Sequence, residues 1–191
     1  MHSEAVAEFF DALFKGSTGY LAAAYAKEGK WKNKNYNLNS LDKFYADIKE
    51  ASAKGWNCYY VPSVIATEGR RTKSNFKESR VAWLDYDLPT QDIPKTTHEP
   101  SFVVQSSPGK YHMYWLLDKA EGPWPVEGAN KFLIQDVGEG ADKSGYDCTQ
   151  LLRVPGTLNY KYDPPTPVEL VKAEPSKVYP VKTFPGPFVF G

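Results

Sequence analysis

The sequence predicts an α/β fold of the α+β kind, with short helices distributed among the strands of a sheet. Apolar residues recur at helical spacing in some segments, while others carry the β-branched and aromatic runs typical of strands. Hydrophobic residues make up 41% of the 191 residues and aromatic residues 15%, which is enough for one core in a single domain or in two fused subdomains. Helices interspersed with strands argue against a helical bundle and a β-sandwich.

The first part of the chain predicts alternating helices and strands before a basic connector. Gly16 ends the first helical pattern, Asn39 and Ser40 offer a cap to the second, and Gly55 closes it. In chain order, the elements are a helix at 3–15, a strand at 19–26, a loop or edge hairpin at 27–35, a helix at 41–54, a strand at 57–66 and the basic connector at 69–80.

The second part of the chain predicts a strand that ends in acids, a hairpin, a helix and a proline-rich tail. Pro108 and Gly109 mark the turn of the hairpin. The elements are a strand ending at 87, a connector at 89–100, strands at 102–106 and 111–117, a helix at 126–137 and a β-like segment at 168–171. Residues 175–191 contain four prolines and no clear final element, so we expect one domain of a longer protein.

Charge and cysteine content limit the class of protein and its compartment. Basic and acidic residues both number 23, so a nucleic-acid-binding surface must be local, and an architectural DNA-coating protein is disfavoured. Cys58 and Cys148 fit no metal-ligand spacing and are too few for a disulfide framework, which indicates a reducing compartment. Because the sequence shows no signal region and no long apolar run, we expect a cytoplasmic protein without membrane contact.

Two acids end the apolar strand at 81–84. Side chains alternate along a strand, so Asp85 and Asp87 share one face. Paired carboxylates repel each other unless a cation lies between them, and Mg²⁺ or Mn²⁺ prefers such oxygen ligands. The alternative is a solvated turn, which is the more frequent structure for an isolated Asp-x-Asp motif.

The predicted hairpin carries a cationic pair on one face. Lys110 and His112 are two residues apart at the mouth of the strand pair. Lysine supplies a mobile positive charge and histidine a directional donor, a combination suited to the β- and γ-phosphates of a nucleotide. Taken singly, Lys110 would be a solvated turn residue and His112 a packing residue.

A third segment offers another acid and further cations. Asp142 follows a glycine-rich break, and Arg153 lies eleven residues on, before a Pro-Gly-Thr turn, Asn159 and Lys161. This set could complete a metal site and clamp a triphosphate, with Asp147 as a competing acid. Alternatively, Asp142 caps a turn and Arg153 pairs with a surface acid. Together, the three segments supply what a metal-dependent nucleotidyl transfer site requires.

The order of these motifs resembles the archaeo-eukaryotic primase superfamily, most closely its plasmid- and phage-encoded primase-polymerase branch. The motifs are apolar-Asp-x-Asp ending at Asp87, Ser-x-Pro-Gly-Lys-x-His-x-x-Trp ending at Trp115, and Ala-Asp followed by Leu-Arg-x-Pro-Gly-Thr-x-Asn-x-Lys ending at Lys161. The resemblance implies an N-terminal αβ subdomain packed on an RRM-like mixed sheet that carries the active site. It divides a single catalytic domain, residues 1–191, into an αβ part at about 1–80, a catalytic part at about 81–175 and a proline-rich tail at 176–191.

The resemblance also implies which acids bind metal. Asp85 and Asp87 match the ligands of the catalytic divalent ions in that superfamily. Asp142 is preferred over Asp147 as the third acid, because its spacing to Arg153 resembles that of cellular primase-polymerases.

The remaining motif residues are implied to bind the incoming nucleotide. His112 is the catalytic-site histidine that contacts the phosphates, and Lys110 can do likewise. Lysine departs here from the small hydroxyl residue of the common motif. Arg153 is implied to bind the triphosphate, with Asn159 and Lys161 lining the same pocket.

The implied activity is template-directed nucleotidyl transfer, as a DNA primase, a DNA polymerase or both, in plasmid, phage or other mobile-element replication. Two Mg²⁺ or Mn²⁺ ions would be the cofactors and ribo- or deoxynucleoside triphosphates the substrates. Two alternatives stay open. A metal-dependent glycosyltransferase also uses Asp-x-Asp but leaves Lys110, His112 and Arg153 without roles, and the third possibility is a non-catalytic module that binds single-stranded DNA.

The expected macromolecular partner is a single-stranded or primed DNA template. Five cations in the basic connector, near Phe76, could grip a strand by charge and stacking; they are Arg70, Arg71, Lys73, Lys77 and Arg80. The lysine-rich residues 27–34, with Trp31, are a second candidate. We expect a monomer that works with a helicase domain or protein.

Overall fold

The chain alternates helices and strands in the computed structural model, which describes residues 3–89 and 92–186. The helices are α1 (Glu4–Phe14), α2 (Asp42–Ala53) and α3 (Pro123–Val137). The strands are β1 (Tyr20–Lys27), β2 (Lys30–Asn37), β3 (Asn57–Ile65), β4 (Phe76–Tyr86), β5 (Phe102–Ser107), β6 (Lys110–Glu121), β7 (Leu152–Arg153), β8 (Leu158–Asn159), β9 (Thr166–Pro167), β10 (Glu169–Ala173) and β11 (Val178–Tyr179). Of the helices in these ranges, none has the length and apolar character needed to cross a membrane.

A nine-stranded sheet organises the described chain. Seven strands run in the order β10-β5-β6-β4-β3-β1-β2, with β7 added beside β3 and β11 beside β6. The β11–β6 pair is parallel and the other pairs are antiparallel, so the sheet is mixed. Strands β8 and β9 form a separate two-stranded sheet. The predicted α/β fold class is confirmed.

Helix α1 anchors one face of the sheet through its apolar stripe. The Ser3 hydroxyl accepts a hydrogen bond from the Val6 backbone N–H at 3.2 Å and caps the helix. Phe9 is fully buried and meets the rings of Phe102 and Tyr114 edge to face, at 5.1 Å between centroids. Such aromatic pairs add packing energy beyond the area that they bury. The helix therefore joins strands from the later half of the chain to the first half.

Strand β3 leaves β4 part-way along its length, and this divergence shapes the site. β3 pairs with β4 only at Val64↔Glu78 and Ile65↔Phe76. Further along, Tyr59 of β3 pairs with Arg153 of β7 instead. The end of β4 therefore faces β3 and β7 across a gap rather than through a ladder of hydrogen bonds.

Local details differ from the sequence prediction at several places, among them the connector, helix α2 and the tail. The second half of the basic connector is part of a strand, because β4 begins at Phe76. This strand also spans residue 80, where the αβ part was expected to end. Helix α2 has Leu41 as its N-cap, and the predicted capping residue Ser40, one position earlier, accepts a long hydrogen bond of 3.5 Å from the Asp42 N–H. The tail from 176 contains strand β11, and its last residues, 187–191, lie outside the described ranges.

Candidate active site

Three carboxylates meet at the end of β4; we call Asp85, Asp87 and Asp142 the β4 cluster. Their ligand oxygens lie within 4.8 Å of one another. Backbone pairing sets this arrangement, because the Asp142 N–H donates to the Asp85 carbonyl at 2.8 Å and the Asp87 N–H donates to the Gly140 carbonyl at 2.9 Å. The loop after α3 therefore runs beside the end of β4 as a short strand would.

Gly140 permits this close approach. Its φ of +96° lies in the left-handed region, and a Cβ there would come within 2.5 Å of the Tyr86 ring. The glycine-rich break predicted from the sequence thus has a structural purpose, which is to bring Asp142 against the strand that carries the other two acids.

The charges of the β4 cluster are incompletely compensated. Burial and the negative charges of Asp85 and Asp142 raise the pKa of Asp87. Burial also raises the pKa of Asp85, but the nearby His112 outweighs it, and the net pKa is lowered. The buried Asp85 Oδ1 lies 3.4 Å from His112 Nε2, yet within the described residues it has no hydrogen-bond partner.

This donor set fits a hard divalent cation. Three carboxylates that repel each other, one of them with a buried and unpartnered oxygen, match the all-oxygen coordination that Mg²⁺ and Mn²⁺ prefer. A cation would relieve the repulsion that raises the pKa of Asp87.

Cationic side chains line a pocket of about 170 Å³ together with Asp85 and Asp87 of the β4 cluster. Lys110 and His112 reach it from β6, where His112 is paired directly with Asp85 of β4. Arg153 reaches it from β7. Lys110, His112 and Arg153, which we call the cationic wall, therefore line the same pocket as Asp85 and Asp87.

Arg153 is held by neighbours on β3 that the sequence analysis did not identify. Its Nη1 donates to the Asn57 Oδ1 at 2.8 Å, and its guanidinium carbon lies 4.8 Å from the centre of the Tyr59 ring. Burial lowers the pKa of Arg153, although an arginine keeps its charge at neutral pH. The alternation along β3 could have revealed this pair, because Asn57 and Tyr59 share a face while Tyr60 points into the core.

Asn159 and Lys161 occupy different positions in the pocket wall. The buried Asn159 donates from Nδ2 to the Ser106 carbonyl at 2.8 Å, and its Oδ1 accepts from the Lys161 N–H at 3.0 Å. Its amide therefore ties the loop after β8 to β5. The exposed Lys161 lines the pocket and can present its ammonium group to a ligand.

Asp147, the competing third acid, belongs to another group of side chains; we call Glu127, Asp147 and Cys148 the α3 cluster. Asp147 Oδ1 accepts from the Thr149 N–H at 2.8 Å, and its other oxygen lies 3.2 Å from the Lys73 ammonium. The structure therefore brings Asp142, and not Asp147, beside Asp85 and Asp87.

The five cations of the basic connector do not form one continuous patch. Arg71 donates to the Thr149 carbonyl at 3.1 Å, and Lys73 pairs with the α3 cluster. Lys77 donates to the Thr18 carbonyl, and Arg80 to the Asp118 carbonyl.

Arg80 is also remote from the acids. Arg80 lies five residues before Asp85 on β4, which corresponds to about 16 Å of strand. Arg70 is exposed on the loop before Lys73.

Comparison with known proteins identifies the family. The model of the RepB DNA-primase N-terminal domain matches residues 70–184, which include every motif residue described above. The chain belongs to this family. Its resemblance to the archaeo-eukaryotic primases, predicted from three motifs, is confirmed.

One curated relative and three solved structures are also similar to this chain. A replication protein of Clostridium perfringens is 26% identical over 136 residues, which cover 61% of this chain and 32% of that protein, so the chain spans about a third of this relative. The AEP domain of the cyanophage S-2L primase-polymerase superposes with a TM-score of 0.72 at 13% identity, covering 96% of both chains.

Two structures of the primase RepB′ have the same fold. One superposes with a TM-score of 0.68 and covers 90% of this chain and 56% of that one. The other is its catalytic domain in complex with initiator DNA, with a TM-score of 0.66 and coverage of 90% and 85%. Both are 18% identical to this chain. At these identities the likeness shows the fold.

Proposed function

We propose that this chain catalyses template-directed nucleotidyl transfer as a DNA primase, a DNA polymerase or both. The observation that carries the proposal is the β4 cluster, whose ligand oxygens lie within 4.8 Å of one another opposite Lys110, His112 and Arg153. Membership of a DNA-primase family supports replication as the context. A glycosyltransferase would leave these three cations without roles.

In this proposal, Asp85, Asp87 and Asp142 hold two divalent ions, Mg²⁺ or Mn²⁺. The bound ions would lower the pKa of the attacking 3′-hydroxyl and neutralise charge on the α-phosphate and the leaving pyrophosphate. The three carboxylates supply the negative charge that holds the ions. Gly140 keeps Asp142 close enough to share them.

The cationic wall orients the triphosphate. Arg153 is fixed by Asn57, so its guanidinium can bind phosphate oxygens in one geometry, while Lys110 adds a mobile charge. His112 donates a hydrogen bond to a phosphate oxygen, and Lys161 adds charge from the opposite loop. Asn159 positions that loop through Ser106. These groups contribute binding and orientation rather than covalent catalysis.

The acceptor in this proposal is a DNA strand on a single-stranded or primed template. The fold is that of the RepB′ catalytic domain, which was crystallised with initiator DNA. We further propose that residues 1–191 are one monomeric catalytic domain of a plasmid, phage or mobile-element replication protein that works with a helicase. Arg70, Arg71, Lys73, Lys77 and Arg80 remain proposed DNA contacts, of which Arg70 lies on an exposed loop.

Strand synthesis in the presence of Mg²⁺ or Mn²⁺ tests the proposal. Labelled ribo- and deoxynucleotides are supplied with primed and unprimed single-stranded templates. We expect synthesis by the wild type and by Asp11→Asn, which changes an exposed acid on α1, and none by Asp85→Asn. Absence of synthesis by the wild type under every metal and nucleotide condition would overturn the proposal. Intact DNA binding in that case would favour the non-catalytic module.

A further inference from the structure

An aromatic ledge, Trp31 and Tyr59, continues the cationic wall of the pocket onto the face of the sheet. The Trp31 ring on β2 stacks on the Tyr59 ring of β3, with centroids 5.5 Å apart and planes inclined by 28°. The Arg153 guanidinium lies 4.8 Å from the centre of the same Tyr59 ring. Because Arg153 and Tyr59 both line the pocket, the ledge leads from the proposed triphosphate site to the edge strand β2.

The two rings meet because small residues separate them. Strand β1 lies between β2 and β3, and its Ala26 pairs with Trp31 on one side and Asn57 on the other. Ala24 pairs with Tyr59. Directly paired residues of antiparallel strands lie on the same face, so the alanines leave room above β1 for both rings.

The ledge faces away from helices α1 and α2. On the other face, Phe10 of α1 packs against Tyr60, and Phe44 of α2 packs against Tyr36. Trp31 is 55% exposed, although a ring of this size is usually largely buried. An exposed ring that is already held flat by a partner ring can stack a further planar group without losing much side-chain entropy.

The surroundings of the ledge favour a nucleic-acid strand over an apolar ligand. The Arg153 guanidinium lies against the Tyr59 ring, and β2 contains no acidic residue. Lys32, next to Trp31 in the sequence, points to the opposite face, where its Nζ lies 4.7 Å from the centre of the Trp56 ring. Positive charge beside an exposed aromatic ring is the combination that binds single strands, with phosphates on the cations and bases on the rings. Trp31 lies outside the pocket lining and on a sheet edge, where a strand can pass on into solvent.

We propose that the aromatic ledge stacks a base of the single strand that serves the active site as template or primer. This inference rests on the proposed function. This assigns strand binding to the hairpin of β1 and β2 and links it through Tyr59 to Arg153. The ledge sets where the strand lies relative to the triphosphate. It differs from the basic connector, where Arg71 and Lys73 are engaged by other parts of the chain.

Fluorescence anisotropy with a labelled single-stranded oligodeoxythymidylate, without metal or nucleotide, tests the ledge. We expect Trp31→Ala to weaken binding about tenfold, and Trp31→Tyr, which keeps a ring, to restore most of the affinity. Trp124→Ala is the matched control, because Trp124 is 86% exposed on α3. We expect it to bind like the wild type. Omitting metal and nucleotide makes the result independent of whether the chain synthesises DNA.

A second binding measurement distinguishes the effect on the DNA strand from an effect on the incoming nucleotide. Binding of a fluorescent deoxynucleoside triphosphate with Mg²⁺ is measured for the same variants, and we expect Trp31→Ala to leave it unchanged. Wild-type oligonucleotide affinity in Trp31→Ala, or an equal loss in Trp31→Tyr, would overturn the proposal. So would a loss confined to the triphosphate, because the ledge would then serve the nucleotide and not the strand.

Discussion

The α3 cluster and the β4 cluster are equally dense in ligand atoms but differ in what surrounds them. In the α3 cluster, Lys73 lies 3.2 Å from Asp147 and 3.6 Å from Glu127. The Cys148 N–H also donates to Glu127 at 2.8 Å. The protein itself therefore satisfies these acids. In the β4 cluster, Asp142 accepts hydrogen bonds from Ser144, and His112 lies 3.4 Å from Asp85. Lys110 and Arg153, however, line an open pocket together with Asp85 and Asp87, so a ligand can bind among these charges.

One member of each cluster, Cys148 in the α3 cluster and Asp85 in the β4 cluster, adds to the contrast. Burial, followed by the negative charge of Glu127, raises the pKa of the Cys148 thiol to about 12, so this sulfur stays protonated and is a poor metal ligand. Asp85, in contrast, keeps a lowered pKa and offers a buried oxygen. Uncompensated charge that faces a pocket therefore distinguishes a candidate metal site better than the number of nearby acids does.

The largest expected effect comes from replacing one aspartate of each cluster by asparagine. Asp85→Asn should lower strand synthesis by at least about a thousandfold, because several kcal/mol of charge stabilisation depend on the bound ions. Asp147→Asn should leave the rate within about threefold, since its side chain pairs with Lys73 and Thr149 and belongs to the α3 cluster. Steady-state synthesis assays measure both. Equal losses in the two variants would contradict the distinction between the clusters.

Two glycines of the same loop give the next largest contrast. Gly140→Ala should cost about a hundredfold in synthesis, because the added Cβ would meet Tyr86 and displace Asp142. Gly138→Ala is the control, since its φ of +75° carries similar backbone strain but its Cβ would have no atom within 4 Å. We expect its activity to be close to that of the wild type. A similar loss in both would attribute the effect to strain rather than to the position of Asp142.

The cations of the two clusters should also respond differently. Lys110→Ala should raise the KM for nucleoside triphosphate about 10- to 100-fold, because a hydrogen bond to a charged phosphate is lost. Lys73→Ala should leave that KM unchanged, because this lysine serves the α3 cluster. Initial rates over a range of nucleotide concentrations give both values. An increase for Lys73→Ala alone would place the triphosphate elsewhere.

The smallest expected effect is on stability, and its sign differs between the clusters. Burial raises the pKa of Asp147, but Thr149 and Lys73 lower it more, so its contribution is present above the pKa of the unfolded chain and is lost as the pH falls through the lowered value. Asp147→Asn should lower the melting temperature at neutral pH by about 2–4 °C, or ~1 kcal/mol, with the difference vanishing in acid.

Asp87 should behave in the opposite way. Its pKa is raised by burial and by Asp85 and Asp142, so its charge destabilises the metal-free protein at neutral pH. This stability is regained as the pH falls through the raised pKa towards the pKa of the unfolded chain. Asp87→Asn should raise the melting temperature at neutral pH by about 1–2 °C, a small value because Asp87 is exposed. Thermal melts of the metal-free protein over a range of pH check both variants. Changes of equal sign would contradict the comparison.

Local sequence patterns were sufficient to predict that the strands carrying Asp85, Lys110 and His112 exist. The alternation around Asp85, and the Pro-Gly turn before Lys110, predicted β4 and the β5–β6 hairpin, although β4 begins five residues earlier and β6 ends four residues later than expected. These features depend on neighbours in sequence, so they can be read without the tertiary structure. The third acid depended on a contact between distant segments, and only the resemblance to a family favoured Asp142.

Long-range partners account for what the sequence did not reveal. The sequence alone predicted that the cations of the basic connector are available to bind DNA. In the structure, Arg71 and Lys73 instead contact residues more than fifty positions away in the sequence. The stack of Trp31 on Tyr59 depends on the order of β2, β1 and β3 in the sheet. Pairing order and side-chain partners are properties of the folded sheet, which periodicity in one strand does not encode.

Manganese binding, followed by electron paramagnetic resonance in wild type, Asp142→Asn and Asp147→Asn, tests the central claim most directly. The claim is that the β4 cluster, completed by Asp142, holds the divalent ions. We predict that Asp142→Asn weakens Mn²⁺ binding by more than about tenfold and that Asp147→Asn does not change it. Loss of binding in Asp147→Asn with retention in Asp142→Asn would contradict the account.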